Sequence, residues 1–282
     1  MAYQWFPGHM QKAITQIKGI LSSIDVVVEL VDARIPLSSR NPELNEILKN
    51  KKSVIVLNKA DLADPVKTKA FIKYFKEMGI PAVAMDSKTK NKQEIKQLLN
   101  SVRAQGAEKV ERLKKKGMLN PKISILIAGV PNVGKSTLIN SLYGKKSLKV
   151  GNKPGVTVKQ QWLMIDNGID LLDTPGIFAT KFDNNEQGML CAAIGSISDE
   201  IIDRYELGVE LAVRIHEIYP GTLEKKYAIE ESEDGAAMIK SIADKRRLIL
   251  KGGELDLEKA SILVTDDFRA GRLGLLTLDV IE

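Results

Sequence analysis

A glycine-rich stretch at residues 129–137, GVPNVGKST, has the residue types and spacing of a phosphate-binding loop. It fits the pattern GxxxxGK[ST], and an apolar strand is predicted before it and a helix after it. Gly129 and Gly134 let the chain curl so that backbone N–H groups converge on phosphate oxygens. A glycine turn that merely joins a strand to a helix is the alternative. The predicted phosphate-contacting residues are Asn132, Val133, Gly134, Lys135, Ser136 and Thr137, with Lys135 neutralising the β and γ phosphates and Ser136 holding Mg²⁺.

Two downstream segments could complete a metal and γ-phosphate site. Asp173, in LLDTPG, is predicted at the end of a strand, where its carboxylate could reach the Mg²⁺ shell. Gly176 could place its N–H against the γ-phosphate and act there in the reaction. Thr157, in KPGVTVKQ, could supply a second Mg²⁺ ligand. Asp, Pro and Gly are also ordinary turn residues, so DTPG alone is compatible with a plain turn.

An upstream segment, VIVLNKADL at residues 54–62, could select the base. Asp61 could accept hydrogen bonds from guanine N1–H and from the 2-amino group, a donor edge that adenine lacks. Asn58 could brace the base or the neighbouring loop, and the Lys59 stem could cover one ring face. Ser87, in Asp86-Ser87-Lys88 after the next strand, could support the base through its backbone. An Asx turn that ends a strand is the alternative for NKAD.

Composition is that of a soluble globular protein with one or two domains. The 282 residues are 44% apolar and 28% charged. The single cysteine, Cys191, cannot form an internal disulfide and favours a reducing compartment. The amino terminus lacks the apolar stretch of a secretory signal, and no run approaches the ~20 apolar residues of a membrane span. A cytoplasmic protein without a membrane partner is therefore expected.

Charge is distributed unevenly along the chain. Residues 180–282 carry 13 basic and 21 acidic side chains, a net charge of −8, whereas residues 1–179 carry 29 and 15, a net of +14. The positive part suggests a polyanionic partner. A solvated lysine surface is an equally good interpretation of charge alone.

The pattern of apolar residues predicts the elements that position these motifs. Residues 1–24 are predicted as an arm and a helix, residues 25–184 as a mostly parallel sheet with helices on both faces, and residues 185–282 as a smaller all-α domain. The predicted strands are 25–34, KSVIVLNKAD, PAVAMDSK, KISILIAGV and a hairpin of QQWLMIDN with GIDLLDTPG; the predicted helices include 43–50, 64–79 and 91–104, and 108–122 is predicted as a basic connector. In the last domain, Ile201, Tyr205, Val209, Val213, Ile239, Ile242 and Leu248 recur at helical spacing.

The base motif precedes the phosphate loop, the reverse of an ordinary GTPase. In this order the sequence resembles the circularly permuted GTPases, in which the same sheet is built from a chain opened elsewhere. WFPGHMQKA, DARIPLSSRNP, LNKADL, GVPNVGKSTLIN, PGVT and DTPG together are similar to the bacterial ribosome biogenesis GTPase A family over essentially the whole chain. The resemblance implies a permuted P-loop GTPase domain, a helical RNA-binding-type domain, and a role in late assembly of the large ribosomal subunit. A GTP-gated RNA-binding module with incidental hydrolysis is the alternative function.

Two residues could assist hydrolysis. The position that often holds a water-orienting Gln is Ile177, so His9, in Trp5-Phe6-Pro7-Gly8-His9, is the best candidate to position water, and the resemblance also favours it. An ordinary surface or capping histidine is the alternative. Asn132 is a candidate K⁺ ligand, because GTPases that share an Asn at this position with this sequence often use K⁺.

Contacts to rRNA phosphates are predicted first in the basic half of the chain. The candidates there are Lys109, Arg112, Lys114, Lys115, Lys116, Lys145, Lys146, Lys149 and Lys153. A second cluster in the acidic half comprises Lys245, Arg246, Arg247, Lys251, Arg269 and Arg272, for which a solvated helix face is the alternative.

Overall fold

Six strands form one mixed sheet. The computed structural model describes residues 19–40, 51–143, 161–173 and 184–281, together with positions 42, 46, 48 and 49. The strands are β1 (Val26–Asp32), β2 (Lys52–Asn58), β3 (Ala82–Met85), β4 (Ile123–Ala128), β5 (Gln161–Asp166) and β6 (Ile169–Asp173). Their order across the sheet is β3-β2-β1-β4-β6-β5. Neighbouring strands are parallel except β5, which is antiparallel to β6, so the predicted hairpin is confirmed.

The strand order agrees with the sheet expected of a circularly permuted chain. β1, β2 and β3 extend to one side of the centre, and β4, β6 and β5 extend to the other. Numbered cyclically from β4, the sheet order becomes 6-5-4-1-3-2, with the strand before the phosphate loop at the centre. In open α/β sheets, ligands bind at the carboxyl ends of strands where the winding direction reverses. That point lies between β1 and β4, so the predicted permuted P-loop fold is confirmed.

Eight α-helices lie within the described residues. They are α1 (Pro65–Glu77), α2 (Lys92–Lys115), α3 (Lys135–Tyr143), α4 (Asn185–Ala193), α5 (Arg204–Ile218), α6 (Thr222–Tyr227), α7 (Gly235–Lys245) and α8 (Leu257–Arg269). Asp64 caps α1 by accepting from the N–H groups of Val66 and Lys67, and the predicted helix at 64–79 is confirmed. A 3₁₀ turn, Ala60–Leu62, follows β2 directly.

The predicted end of the helix at 104 is wrong. Helix α2 continues to Lys115, so half of the predicted basic connector at 108–122 is helical. The sequence AQGAEK contains Gly106, a residue type that often accompanies a helix end. Here Gly106 lets the helix pack closely on the sheet, because a Cβ at this position would lie 2.6 Å from the Ile123 side chain. The glycine serves packing, not termination.

The helical residues beyond 185 have their own apolar core. One cluster of buried apolar residues runs from Met189 to Leu278 and also includes Ile35 of the sheet half. A second cluster lies between the sheet and helices α2 and α3. Ile201 and Leu248, predicted on helix faces, lie outside α5 and α7. Residues 19–21 are helical, but the rest of the predicted amino-terminal helix and most of 43–50 lie outside the described residues. No described helix is both long and apolar enough to span a bilayer.

The end of the chain returns to the loop that follows β1. The Leu278 N–H donates to the Arg34 carbonyl at 2.7 Å, and the Thr277 hydroxyl donates to the Ala33 carbonyl at 3.2 Å. The Asp279 carboxylate accepts from the Ser38 hydroxyl at 2.6 Å and from two backbone N–H groups. Burial raises the Asp279 pKa, although these hydrogen bonds act in the opposite direction. These hydrogen bonds hold residues 277–279, which follow the last helix, beside the carboxyl end of β1.

Candidate nucleotide-binding site

The phosphate loop is shaped by two close backbone approaches. A Cβ on Gly129 would lie 2.3 Å from the Leu30 carbonyl oxygen of β1. A Cβ on Gly134 would lie 2.3 Å from Asn58 Nδ2, and Gly134 has a φ of +105°, which side-chain-bearing residues rarely adopt. Both glycines are therefore required by packing as well as by the curl of the loop.

Lys135 lies within the curl of the loop. Its Nζ donates to the carbonyl oxygens of Gly129 at 2.7 Å and Val130 at 2.8 Å. Burial disfavours the charged ammonium and lowers the Lys135 pKa to about 8. A bound polyphosphate would supply the compensating negative charge, so this lysine is placed and tuned for an anionic ligand.

The first turn of α3 presents hydroxyl groups at the same edge of the sheet. Ser136 and Thr137 have exposed side chains, whereas Val133 is buried beneath the loop. Asp173 is the last residue of β6, which is parallel to β4 with Leu172 opposite Leu126. Its backbone therefore ends beside the loop strand. Thr157, Gly176 and His9 lie outside the described residues.

Asn58 joins the base motif to the phosphate loop. Its side-chain N–H donates to the Val133 carbonyl at 2.7 Å. Its side-chain oxygen accepts from the Ser87 N–H at 3.1 Å and from the Ser87 hydroxyl at 2.7 Å. The Ser141 hydroxyl of α3 donates to the Ser87 carbonyl at 2.5 Å. One buried amide thus brings three separate predicted segments together.

The turn after Asn58 presents Asp61 to solvent. Lys59 is left-handed, with φ 58° and ψ 36°, and leads into the 3₁₀ turn. The Lys59 ammonium lies 2.9 Å from an Asp32 carboxylate oxygen. Asp61 is exposed, and within the described part of the chain its carboxylate accepts no hydrogen bond. It is therefore available to the donor edge of a base.

The helical residues touch the phosphate loop. The Asn132 side-chain N–H donates to the Gly195 carbonyl at 2.6 Å, and the Ser196 hydroxyl donates to the Pro131 carbonyl at 2.7 Å. Because a carbonyl only accepts, the Asn132 amide nitrogen must face Gly195. The Asn132 side-chain oxygen is then directed away from Gly195.

Comparisons with known proteins agree with this geometry. A family profile described as 50S ribosome-binding GTPase matches residues 124–240. The ribosome biogenesis GTPase A of Bacillus licheniformis is 44% identical over 283 residues, which cover 100% of this chain and 99% of the relative. This chain belongs to the ribosome biogenesis GTPase A family. Like other members of the family, it is a GTPase that binds guanine nucleotides.

Two solved structures of family members resemble it along nearly the whole chain. GNP-bound YlqF from T. maritima matches with a TM-score of 0.65 and 29% identity, covering 95% of this chain and 97% of that one. GDP-bound TM YlqF matches with a TM-score of 0.66 and 29% identity, covering 94% and 98%. The resemblance to the ribosome biogenesis GTPase A family that the motifs predict is therefore confirmed.

Sequence reasoning missed a buried ionic group beside the site. The Asp32 carboxylate receives two hydrogen bonds from the Arg34 guanidinium at 2.8 Å, in addition to the Lys59 ammonium. Arg34 also donates to the Phe268 and Arg269 carbonyls at the end of α8. The signal was the pair of charged residues that ends DVVVELVDAR, a strand that pairs with the strand before NKAD.

Several predicted RNA-binding side chains have intramolecular partners. Lys109 pairs with Asp25, and Arg272 pairs with Asp267. Arg269 pairs with Asp199 at 2.7 Å and also donates to two carbonyls at the end of α4. Lys114, Lys115 and Lys116 are exposed at the end of α2, and Lys145, Lys146, Lys149 and Lys153 lie outside the described residues. The guanidinium of Arg269 therefore has a structural role in this family member.

Proposed function

We propose that this GTPase assists late maturation of the large ribosomal subunit, and that the bound nucleotide controls its association with the particle and its rRNA. The observation that carries the nucleotide part is Asn58, which joins the base motif to the phosphate loop and to Ser87. The description of the matched profile, 50S ribosome-binding GTPase, supports the large subunit as the partner. We place this activity in the cytoplasm.

In the proposed site, the phosphates lie in the loop of residues 129–134 at the positive end of α3. Lys135 shifts from the loop carbonyls to the β and γ phosphates. Ser136, Thr157 and Asp173 would hold Mg²⁺, since hydroxyl and carboxylate oxygens are the ligands that this hard cation prefers. The exposed Ser136 hydroxyl on the first turn of α3 supports this assignment. Bound Mg²⁺ would neutralise charge that develops on the phosphates.

Guanine would be selected at the turn after β2. The exposed Asp61 carboxylate accepts from N1–H and the 2-amino group, and the Lys59 stem covers one face of the ring. Asn58 and Ser87 support this turn from the interior. The hydrogen bonds between Asn58 and Ser87 favour a supporting role for Ser87.

Hydrolysis would depend on groups that complete the γ-phosphate site. Gly176 contacts the γ-phosphate, and His9 positions the attacking water, because Ile177 cannot hydrogen-bond it. The Asn132 side-chain oxygen, which is not used in the hydrogen bond to Gly195, suits a K⁺ ligand. His9→Ala should lower particle-stimulated turnover by up to ~10²-fold while GTP binding is retained. Unchanged turnover would remove His9 from the reaction, and equal rates in NaCl and KCl would remove K⁺.

Coupling to the particle would use the contact between the loop and the helical residues. We propose a GTPase domain at 25–184, preceded by an arm at 1–24 and followed by a helical domain at 185–282. The hydrogen bonds from Asn132 to Gly195 and from Ser196 to Pro131 connect the proposed helical domain directly to the phosphate loop. Salt-dependent rRNA contacts would come from the exposed lysines at the end of α2 and from Lys245–Arg247.

Co-sedimentation with ribosomal particles in GTP, GDP and a non-hydrolysable GTP analogue tests this proposal. Binding to large but not small subunits, with release in GDP, is expected. Turnover should rise strongly when large subunits are added. Particle binding that ignores the nucleotide would contradict it, and nucleotide-dependent binding without stimulated turnover would favour a GTP-gated RNA-binding module. Asp61→Asn, which should lose the preference for GTP over ATP, is the control for base selection.

A further inference from the structure

Asp32 is a fully buried carboxylate at the point where the sheet reverses its winding. It is the last residue of β1, the strand that lies between β4 and β2, and it is opposite Asn58 of β2. The Ala33 N–H donates to the Asn58 carbonyl, so strand pairing continues to the start of the base motif. Ligand sites form at this position in open α/β sheets, yet Asp32 belongs to neither nucleotide-binding motif.

The carboxylate is shared between two cations. Arg34 contacts both of its oxygens at 2.8 Å, and the Lys59 ammonium lies 2.9 Å from one of them. Burial opposes ionisation, but the two cations outweigh it and lower the Asp32 pKa to about 2. A buried carboxylate that stays ionised at neutral pH provides a fixed negative charge at the base of the turn.

Lys59 needs such a support. Its left-handed backbone, with φ 58° and ψ 36°, is strained for a residue with a side chain. Strain of this kind persists only where the surroundings hold it. On one side Asn58 is fixed by Val133 and Ser87, and beyond Lys59 the 3₁₀ turn carries the exposed Asp61. The contact between the Lys59 ammonium and the Asp32 carboxylate holds the Lys59 side chain, which lies between Asn58 and the 3₁₀ turn.

We propose that Asp32 is a positioning residue for guanine recognition, acting through the Lys59 ammonium. This inference rests on the proposed role of NKAD in base binding. By fixing Nζ, Asp32 fixes the path of the Lys59 stem that covers the ring, and it stabilises the turn that aims Asp61. Without this charge, the stem would sample other rotamers and the turn would relax, so the base would have to order both on binding.

A merely structural Asp32 would behave differently. Arg34 connects the same carboxylate to the end of α8, so loss of Asp32 could weaken the fold without involving Lys59. In that case its effect on nucleotide affinity would not depend on the side chain at position 59. A double-mutant cycle separates the two possibilities, because interacting residues are non-additive.

The experiment measures GDP affinity by calorimetry for the full chain, Asp32→Asn, Lys59→Met and the double variant, at a temperature where melting curves show all to be folded. Lys59→Met keeps the stem and removes the ammonium. Asp32→Asn should weaken GDP binding about tenfold in the wild-type background and less than twofold in the Lys59→Met background. An equal loss in both backgrounds would overturn the proposal.

Two further measurements keep the test decisive. If Asp32→Asn does not fold, Lys59→Met alone should still weaken GDP binding about tenfold, and affinity within twofold of wild type would overturn the proposal. The preference for GDP over ADP in Asp61→Asn reports separately on the underlying assignment. If that preference persists, NKAD does not select the base. If it disappears while the cycle is additive, only the role of Asp32 fails.

Discussion

The phosphate loop follows β4 and the proposed base-recognition turn follows β2, on either side of β1, but different forces shape them. The loop is confined by contacts that leave no room for a side chain, at Gly129 against Leu30 and at Gly134 against Asn58. The turn is held by charge, with the left-handed Lys59 paired to the buried Asp32. One half of the site is therefore sensitive to an added methyl group, and the other to a removed charge.

The phosphate loop and the turn after β2 also depend on different parts of the structure. The loop requires only β1 and Asn58 to define its inner surface. The turn depends on Asp32, which is shared with Arg34, and Arg34 in turn contacts the carboxyl end of α8. A cation at a helix carboxyl terminus is also favoured by the helix dipole. The base half is thus linked to the helical residues beyond 185 through buried charge.

The largest expected effect is on the charged half. Arg34→Met would remove the bidentate partner of the Asp32 carboxylate and the guanidinium donor to two carbonyls at the end of α8. Removing one member of a buried ion pair costs about 3–5 kcal/mol of unfolding free energy. Urea denaturation measures this. Arg103→Ala, which breaks a partly exposed pair with Asp166, should cost less than about 1 kcal/mol, and a similar cost for both would refute the importance of burial.

The phosphate loop should lose nucleotide affinity when a single methyl group is added to one of its glycines. Gly134→Ala would place Cβ against Asn58 Nδ2 and force a φ that alanine disfavours, so GDP affinity should fall at least about 100-fold. Fluorescent-nucleotide titration measures this. Gly253→Ala is the matched control, since Gly253 has φ +90° with no atom within 4 Å of its Cβ position. It should lose about 1 kcal/mol of stability and keep full GDP affinity. Equal losses of affinity would implicate backbone strain alone.

The same comparison explains what the sequence could predict. The steric half is encoded locally, because glycine spacing between a strand and a helix defines the phosphate loop in nine residues. The strands were also predictable; β1, for example, is buried along its whole length and its sequence VVVELVD is mostly apolar. Their assembly into a permuted P-loop sheet was predicted from the order of the motifs, through the resemblance to the circularly permuted GTPases. The order of the strands across the sheet was not predicted.

The ionic half was not predictable from local sequence. Asp32 meets Lys59 only because β1 and β2 are parallel with Asp32 opposite Asn58, a register that no local pattern encodes. The extent of α2 was missed because a glycine that permits close packing on Ile123 looks like a helix end. The contact of Gly195 and Ser196 with the loop likewise depends on how the helical residues beyond 185 pack against the sheet half.

A pH titration distinguishes the loop from the turn without mutation. Burial lowers the Lys135 pKa to about 8, so the free protein loses this charge above pH 8, and phosphate binding must restore it. GTP affinity should be level between pH 7 and 8 and fall at up to about tenfold per pH unit above it. Calorimetry in buffers of different ionisation enthalpy should show proton uptake at pH 8.5. Asp32, with a pKa of about 2, contributes nothing in this range.

The variant Lys135→Met is the control for that titration. It should bind GTP weakly and show no proton uptake assigned to the loop between pH 7 and 8.5. Proton uptake that persists in this variant would come from another group and would contradict the assignment to Lys135.

The smallest expected effect concerns the hydrogen bond between Ser196 and the phosphate loop. It tests whether contacts at the two loop glycines are enough to define the shape of the loop. The Ser196 hydroxyl donates to the Pro131 carbonyl at 2.7 Å, and a neutral hydrogen bond of this kind contributes about 1 kcal/mol. Ser196→Ala should therefore weaken GTP binding about threefold to fivefold, because the start of the loop loses its hydrogen bond to the helical residues. Ser198→Ala, an exposed site two residues further on without a contact to the loop, should leave affinity unchanged. If Ser196→Ala also leaves it unchanged, the Ser196 hydrogen bond does not help to define the loop, and the contact of Asn132 with Gly195 and the contacts of Arg34 remain as links to the helical residues.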